Sequence, residues 1–163
     1  TDPRAPRCIR DGASAASEVY QGQALSPAVG IDGRPVRFTR LLVSAIEHPS
    51  VMAGGRFAPD AVDVVPVDAD GVVDLAALER MLGEAEGPVL VSLMAANNEA
   101  GVIQPVADAA RIVHAAGGVL HVDAVQVAGR LPLSLTDLGA DVVTLSAHKI
   151  GGPRGAGAVV RRS

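Results

Sequence analysis

Tryptophan is absent, and Tyr20, Phe38 and Phe57 are the only aromatic rings, 2% of the chain. Platforms on which nucleobases could stack are therefore missing. The formal net charge is −4, and the arginines nearest one another at the end, Arg154, Arg161 and Arg162, form no basic stripe. Phosphate binding along a nucleic acid needs several cations on one face, so that partner is excluded as the main one. The single cysteine, Cys8, rules out an internal disulfide and fits a reducing compartment. No uninterrupted apolar run approaches the roughly 18–20 residues of a membrane span. The stretch TDPRAPRCIRDG has no apolar core of a secretory signal, so no membrane partner and a cytoplasmic location are expected. Lysine also occurs once, at Lys149, which leaves thirteen arginines among the fourteen basic residues. In an Ala- and Arg-rich chain that scarcity carries little weight by itself.

What is present is a one-domain length of 163 residues with 48% hydrophobic content, enough for a sizeable core. From about Arg40 a short β-branched run, a turn and an amphipathic stretch recur. Strands are predicted at 40–46, 62–68, 88–94, 119–125, 141–147 and 155–162, the third apolar on both faces. Helices are predicted at 74–85, with Leu75, Leu78 and Leu82 in phase behind an Asp74 cap, and at 106–118, closed by Gly117 and Gly118. A short helical turn falls at 133–139. Alternation of this kind gives an α/β fold with a mainly parallel sheet. Residues 1–38 lack an apolar period and read as coil.

Ligands of such sheets lie at the carboxyl ends of the strands. Those ends carry Glu47 and His48, Asn97 and Asn98, Asp123 with Gln126, and Ser146, His148 and Lys149. All are polar or ionisable, in a chain with little packing use for them. A lysine at the end of a buried strand is desolvated and can form a Schiff base. Pyridoxal 5'-phosphate then needs a carboxylate at its pyridinium nitrogen, for which Asp123 is placed. Gln126 is a candidate donor to the ring's phenolic oxygen, His48 a flat group to stack on the ring, and Ser146 and His148 candidates to hold the phosphate. No metal ligands are singled out.

The stretches SAIEHPSV, MAANNEAGVIQPV, HVDAVQVAGRLPL and LSAHKIGGPRGAGAVV, in that order, resemble the large-domain core of the cysteine desulfurases. These form part of the class V aminotransferase branch of the fold-type I pyridoxal-phosphate enzymes. The resemblance covers about Arg40 to Arg162 and implies a seven-stranded-type sheet, with residues 39–163 as a partial large domain and the small C-terminal domain absent. It implies Lys149 as the Schiff-base lysine, Asp123 as the pyridinium partner and Gln126 as the donor to the phenolic oxygen. His48 matches the stacking histidine that also aids proton transfer, Asn98 the asparagine near cofactor and substrate carboxylate, and Ser146 and His148 the phosphate ligands. The implied reaction removes sulfur from L-cysteine, leaving alanine and an enzyme persulfide. A homodimer and a sulfur-acceptor or scaffold protein are the implied partners, in iron–sulfur cluster assembly and sulfur transfer.

Two departures stand beside the resemblance. The family's TSGATEAN-like phosphate loop is replaced by DGASAASEVYQGQALSPAV, in which only ALSPAV looks familiar. Cys8 lies in the wrong region for the persulfide-bearing cysteine, so the chain alone is expected to bind cofactor weakly and not to turn cysteine over. A selenocysteine lyase, another class V relative and a non-catalytic dimerising remnant are the alternatives. Each residue also has a plainer reading. Lys149 is then a snorkelling surface cation, Asp123 a turn cap, Asn97 and Asn98 turn formers, and His48 the start of a helix before Pro49. His114 and His121 are read as structural, and Arg161 and Arg162 as a solvated strand end.

Overall fold

The computed structural model describes residues 24–31 and 34–162. Six strands form the main sheet: β3 (Arg40–Ser44), β4 (Val62–Val65), β5 (Val89–Met94), β6 (Val119–Asp123), β7 (Val142–Ser146) and β8 (Gly157–Arg161). Their order is β4-β3-β5-β6-β7-β8, parallel throughout except for β8, which runs antiparallel beside β7. The sheet is thus mainly parallel, with six described strands where the resemblance implied a seven-stranded type. No helix among the described residues is long and apolar enough to cross a membrane.

The helices form where the sequence supplies both an apolar stripe and an end signal. In α2 (Leu75–Glu84) Asp74 Oδ1 accepts the amide hydrogens of Ala76 and Ala77, each at 3.0 Å, which satisfies donors the helix itself cannot. The α3 helix (Val106–Ala115) is followed by Gly117 at φ 72, a left-handed turn that costs glycine nothing. Two four-residue helices, α1 (Pro49–Met52) and α4 (Leu135–Leu138), begin at the side-chain caps His48 and Ser134. The β4 strand stops earlier than the sequence pattern suggested, because Pro66 has no amide hydrogen to continue the ladder.

Residues 24–38 correct the coil reading. A hairpin of β1 (Ala28–Ile31) and β2 (Arg34–Arg37) forms a small sheet of its own. On either side of it Ala24, Leu25 and Phe38 are buried with Leu41 and Val43. Strands of four residues are too short to show a period, and isolated anchors such as Leu25 and Phe38 leave no pattern to read. Cys8 and the rest of residues 1–23 lie outside the described residues.

Strand alternation divides the main sheet into two unlike faces. One face presents Leu42, Val65, Val89, Val91, Leu93, Leu120, Val122 and Val143. Along β5, β6 and β7 it is apolar, and it is covered by Leu78 and Leu82 of α2 and by Ala109, Ala110 and Val113 of α3. The opposite face begins with Leu41, Leu90, Val119 and Val142 at the amino ends of the strands. Further along β5, β6 and β7 it carries Ser92, His121, Asp123, Thr144 and Ser146, all buried, beside Val43 and Met94.

Candidate active site

The polar half of that second face is a chain of hydrogen bonds across three strands. His121 Nδ1 lies 2.8 Å from Ser92 Oγ on β5, and Nε2 lies 3.1 Å from Thr144 Oγ1 on β7. Complete burial lowers the His121 pKa from 6.5 to about 3, so the ring is neutral and bridges one hydroxyl as donor and the other as acceptor. His121 is structural, as its place inside a strand suggested.

One rung above it, at the carboxyl end of β6, stands Asp123. Its backbone pairs in register with Met94 and with Thr144. The side chain is 5% exposed, and Oδ1 accepts Val125 N–H at 2.9 Å, so the strand's own exit turn holds the carboxylate in place.

The loops above the strand ends carry the remaining candidates. After β5, Asn97 is consumed by structure. Its Oδ1 accepts the amides of Glu99 and Ala100 at 2.7 and 2.8 Å, and its Nδ2 donates to Ile46 O at 2.9 Å. It is the turn former of the pair and ties this loop to the one after β3. Asn98 is exposed and reaches the neighbouring loop, where its Oδ1 accepts Gln126 Nε2 at 2.8 Å. Gln126 Oε1 in turn accepts Arg130 Nη1 at 3.0 Å. An amide NH2 carries two hydrogens, so Gln126 retains a donor beyond the one given to Asn98.

After β7 the chain enters a 3-10 turn, Ala147–Ile150, which brings His148 and Lys149 over the strand end. Ser146 is buried and its Oγ lies 2.8 Å from His148 Nδ1. Lys149 is half-buried. The turn closes through Gly152 N–H to Ala147 O at 2.8 Å. A side chain on Gly152 would sit 2.8 Å from Ala147 Cβ, which explains the glycine there. On β3's exit, His48 caps α1, with Nδ1 2.6 Å from Ser50 Oγ and accepting Ser50 N–H at 3.3 Å.

All seven candidates, His48, Asn98, Asp123, Gln126, Ser146, His148 and Lys149, therefore stand at the carboxyl ends of neighbouring strands. Hydrogen bonds join Asn98 to Gln126 and Ser146 to His148. They leave His48 paired with Ser50, outside those two couples. Sequence reading assigned no role to Glu47, Thr144 or Arg130. Thr144 sits two residues before Ser146 on one strand and Arg130 one helical turn after Gln126, spacings that would have drawn them in. Glu47 is 6% exposed, its Oε1 accepts Met94 N–H at 2.5 Å, and its buried Oε2 finds no hydrogen-bond partner among the described residues. Burial and, less strongly, the Asp123 charge push its pKa well above the ordinary carboxylate range, against the lowering effect of Met94 N–H.

A second polar cluster lies at the amino end of β7. Buried Asp141 accepts Leu120 N–H and lies 2.8 Å from His114 Nε2, and Arg162 pairs with it at 3.1 Å. Arg162 is therefore an anchored strand end as well as a solvated one.

This donor set fits pyridoxal phosphate. A buried carboxylate, an amide with a spare hydrogen, a hydroxyl–imidazole pair and an amine stand along one edge, and an enclosed carboxyl oxygen there has no hydrogen-bond partner among the described residues.

The aminotransferase class-V family pattern matches residues 37–163. A cysteine desulfurase of Sinorhizobium fredii is 40% identical over 134 residues, covering 80% of this chain and 34% of that protein. Cysteine desulfurase IscS of an Anaeromyxobacter species is 48% identical over 102 residues, covering 62% of this chain and 25% of the relative. The crystal structure of a NifS-like protein from Rickettsia africae superposes with a TM-score of 0.79 at 32% identity, over 91% of this chain and 39% of that one. The chain thus spans between a quarter and two fifths of the length of these proteins. By this match the chain belongs to the aminotransferase class-V family, and the relatives it resembles include cysteine desulfurases.

Proposed function

We propose that this chain is the cofactor-binding core of a pyridoxal-phosphate-dependent cysteine desulfurase, in which Lys149 carries the cofactor. The observation that supports this most is the convergence of Asp123, the Asn98–Gln126 couple, the Ser146–His148 couple and Lys149 at adjacent strand ends. When bound, the cofactor supplies an electron sink that weakens bonds at the carbon bearing the substrate's amino group.

The chain's own residues have the following parts in this reading. Asp123, fixed by Val125 N–H, holds a negative charge against the ring nitrogen, where it favours the protonated form. Gln126 directs its second amide hydrogen to the phenolic oxygen, with its side chain steadied by Asn98 on one side and Arg130 on the other. Asn98 also lies beside the substrate carboxylate. Ser146 and His148 grip the phosphate, and the left-handed Gly151 at φ 82 turns the chain away after Lys149. His48 stacks on the ring face and moves a proton at the substrate carbon, its orientation set by the bond between Nδ1 and Ser50. L-Cysteine then loses its sulfur to a protein thiol and leaves as alanine. No sulfur-accepting role is given to Cys8. The protein works as a homodimer and hands its sulfur to an acceptor or scaffold protein.

The test is borohydride trapping of the chain with pyridoxal phosphate, followed by peptide mapping. Because Lys149 is the sole lysine, a pyridoxyl label on the peptide containing it is expected at saturating cofactor. No label, or a label confined to the N-terminal amine, would overturn the reading.

A further inference from the structure

Glu47 is a buried ionisable residue to which the cradle gives no task. It leaves β3 at the strand's exit, and the bond from Met94 N–H to its Oε1 crosses to the last residue of β5. Met94 pairs in register with Asp123, so the Glu47 carboxyl sits one strand away from the proposed anchor of the cofactor. An apolar side chain would fill this enclosed place without the cost of desolvating a carboxyl, and native folds rarely leave a buried oxygen without a partner, as Oε2 is among the described residues. Two ionised carboxylates this near one another in a buried edge repel, whereas one anion beside one neutral acid does not. Burial and the Asp123 charge both favour the protonated form of Glu47.

We propose that Glu47 is a positioning residue for the cofactor anchored at Asp123, acting as an uncharged hydrogen-bonding clamp on the end of β5 and not as a second negative charge. The inference rests on the reading under Proposed function and deepens it. It makes an ordering that charge conservation would reverse. Glutamine keeps a carbonyl oxygen at the right reach for Met94 N–H and stays neutral. Aspartate keeps the acid but is one methylene too short to make the bond.

The experiment measures pyridoxal phosphate affinity by equilibrium titration for the native chain and for Glu47→Gln, Glu47→Asp and Glu47→Leu, with thermal melts alongside. The infrared carboxyl band of the cofactor-free native chain and of Glu47→Gln is recorded at neutral pH. Leucine and aspartate are expected to weaken the cofactor about tenfold, the loss of one buried hydrogen bond, and glutamine to recover it to within about threefold. The native chain should show a protonated-carboxyl stretch that Glu47→Gln lacks. Aspartate binding more tightly than glutamine, four proteins binding alike, or no protonated-carboxyl band would overturn the clamp. If the leucine variant does not fold, the order of glutamine and aspartate and the infrared band decide. A native chain that takes up cofactor at Lys149 while the variants defy the order refutes this inference alone, whereas a native chain that takes up none refutes the parent reading with it.

Discussion

The two faces of one sheet make unlike use of the same strands. Along β5, β6 and β7 one set of alternate residues, Val91, Leu93, Leu120, Val122 and Val143, is apolar to the strand ends and locked under α2 and α3. The intervening set starts apolar and becomes Ser92, His121, Asp123, Thr144 and Ser146 over the last turns before the loops. The first face supplies the packing that makes the edge rigid. The second accepts the cost of burying polar groups and recovers it by pairing them, which fixes polar side chains where the loops begin.

The widest gap between the faces should appear in stability. Leu120→Ala, at a fully buried position of the apolar face, is expected to lower the unfolding free energy by about 2–5 kcal/mol in urea titration. A smaller loss would mean that the face is less tightly packed than its burial implies.

His121 gives a pH signature that no residue of the apolar face can give. Its folded pKa of about 3 lies below the ordinary 6.5, so the unfolded chain binds the extra proton between those values and stability falls as pH drops through that window. Glu47 has the opposite sign. Its folded pKa is raised, so its contribution is full below the ordinary 4.5 and is lost as pH rises toward the folded value. Urea midpoints measured across pH should therefore show His121→Leu with a flatter acid side and a loss of about 1–3 kcal/mol at neutral pH from the two stranded hydroxyls. Glu47→Gln should show a smaller decline on the rising-pH side. A native acid slope retained in His121→Leu would assign that slope elsewhere.

Smaller effects separate scaffold from cradle at the surface. Asp74→Ala removes the α2 cap and should cost about 1 kcal/mol without touching cofactor affinity. Asn98→Ala should cost less than that in stability yet weaken the cofactor several-fold, because Gln126 loses the partner that aims it. Equal effects of both on binding would erase the distinction between the faces.

Much of this was legible in the sequence. The parallel strands and α2 and α3 follow from apolar periods and their caps, and the strand-end rule collected the seven candidates, though not Thr144 or Arg130 beside them. The β1–β2 hairpin was not legible, because two four-residue strands carry too few positions for a period. Nor were the couples that join the site. Asn98 meets Gln126 across 28 residues and Glu47 meets Met94 across 47, distances set by strand order and register and not by local spacing. Glu47 illustrates the limit well. Its sequence position marks it as a strand-end acid, but only burial, with the nearby Asp123 charge, raises its pKa.

The central claim, that the polar half of one sheet face is a cofactor cradle centred on Asp123, meets its most direct test in Asp123→Asn. Asparagine keeps the acceptor for Val125 N–H and nearly the same volume, so the melt should stay close to native. Titrated with pyridoxal phosphate, the variant is expected to bind about 10- to 100-fold more weakly, the worth of one charge-assisted hydrogen bond to the ring nitrogen. Native affinity in Asp123→Asn would contradict the account.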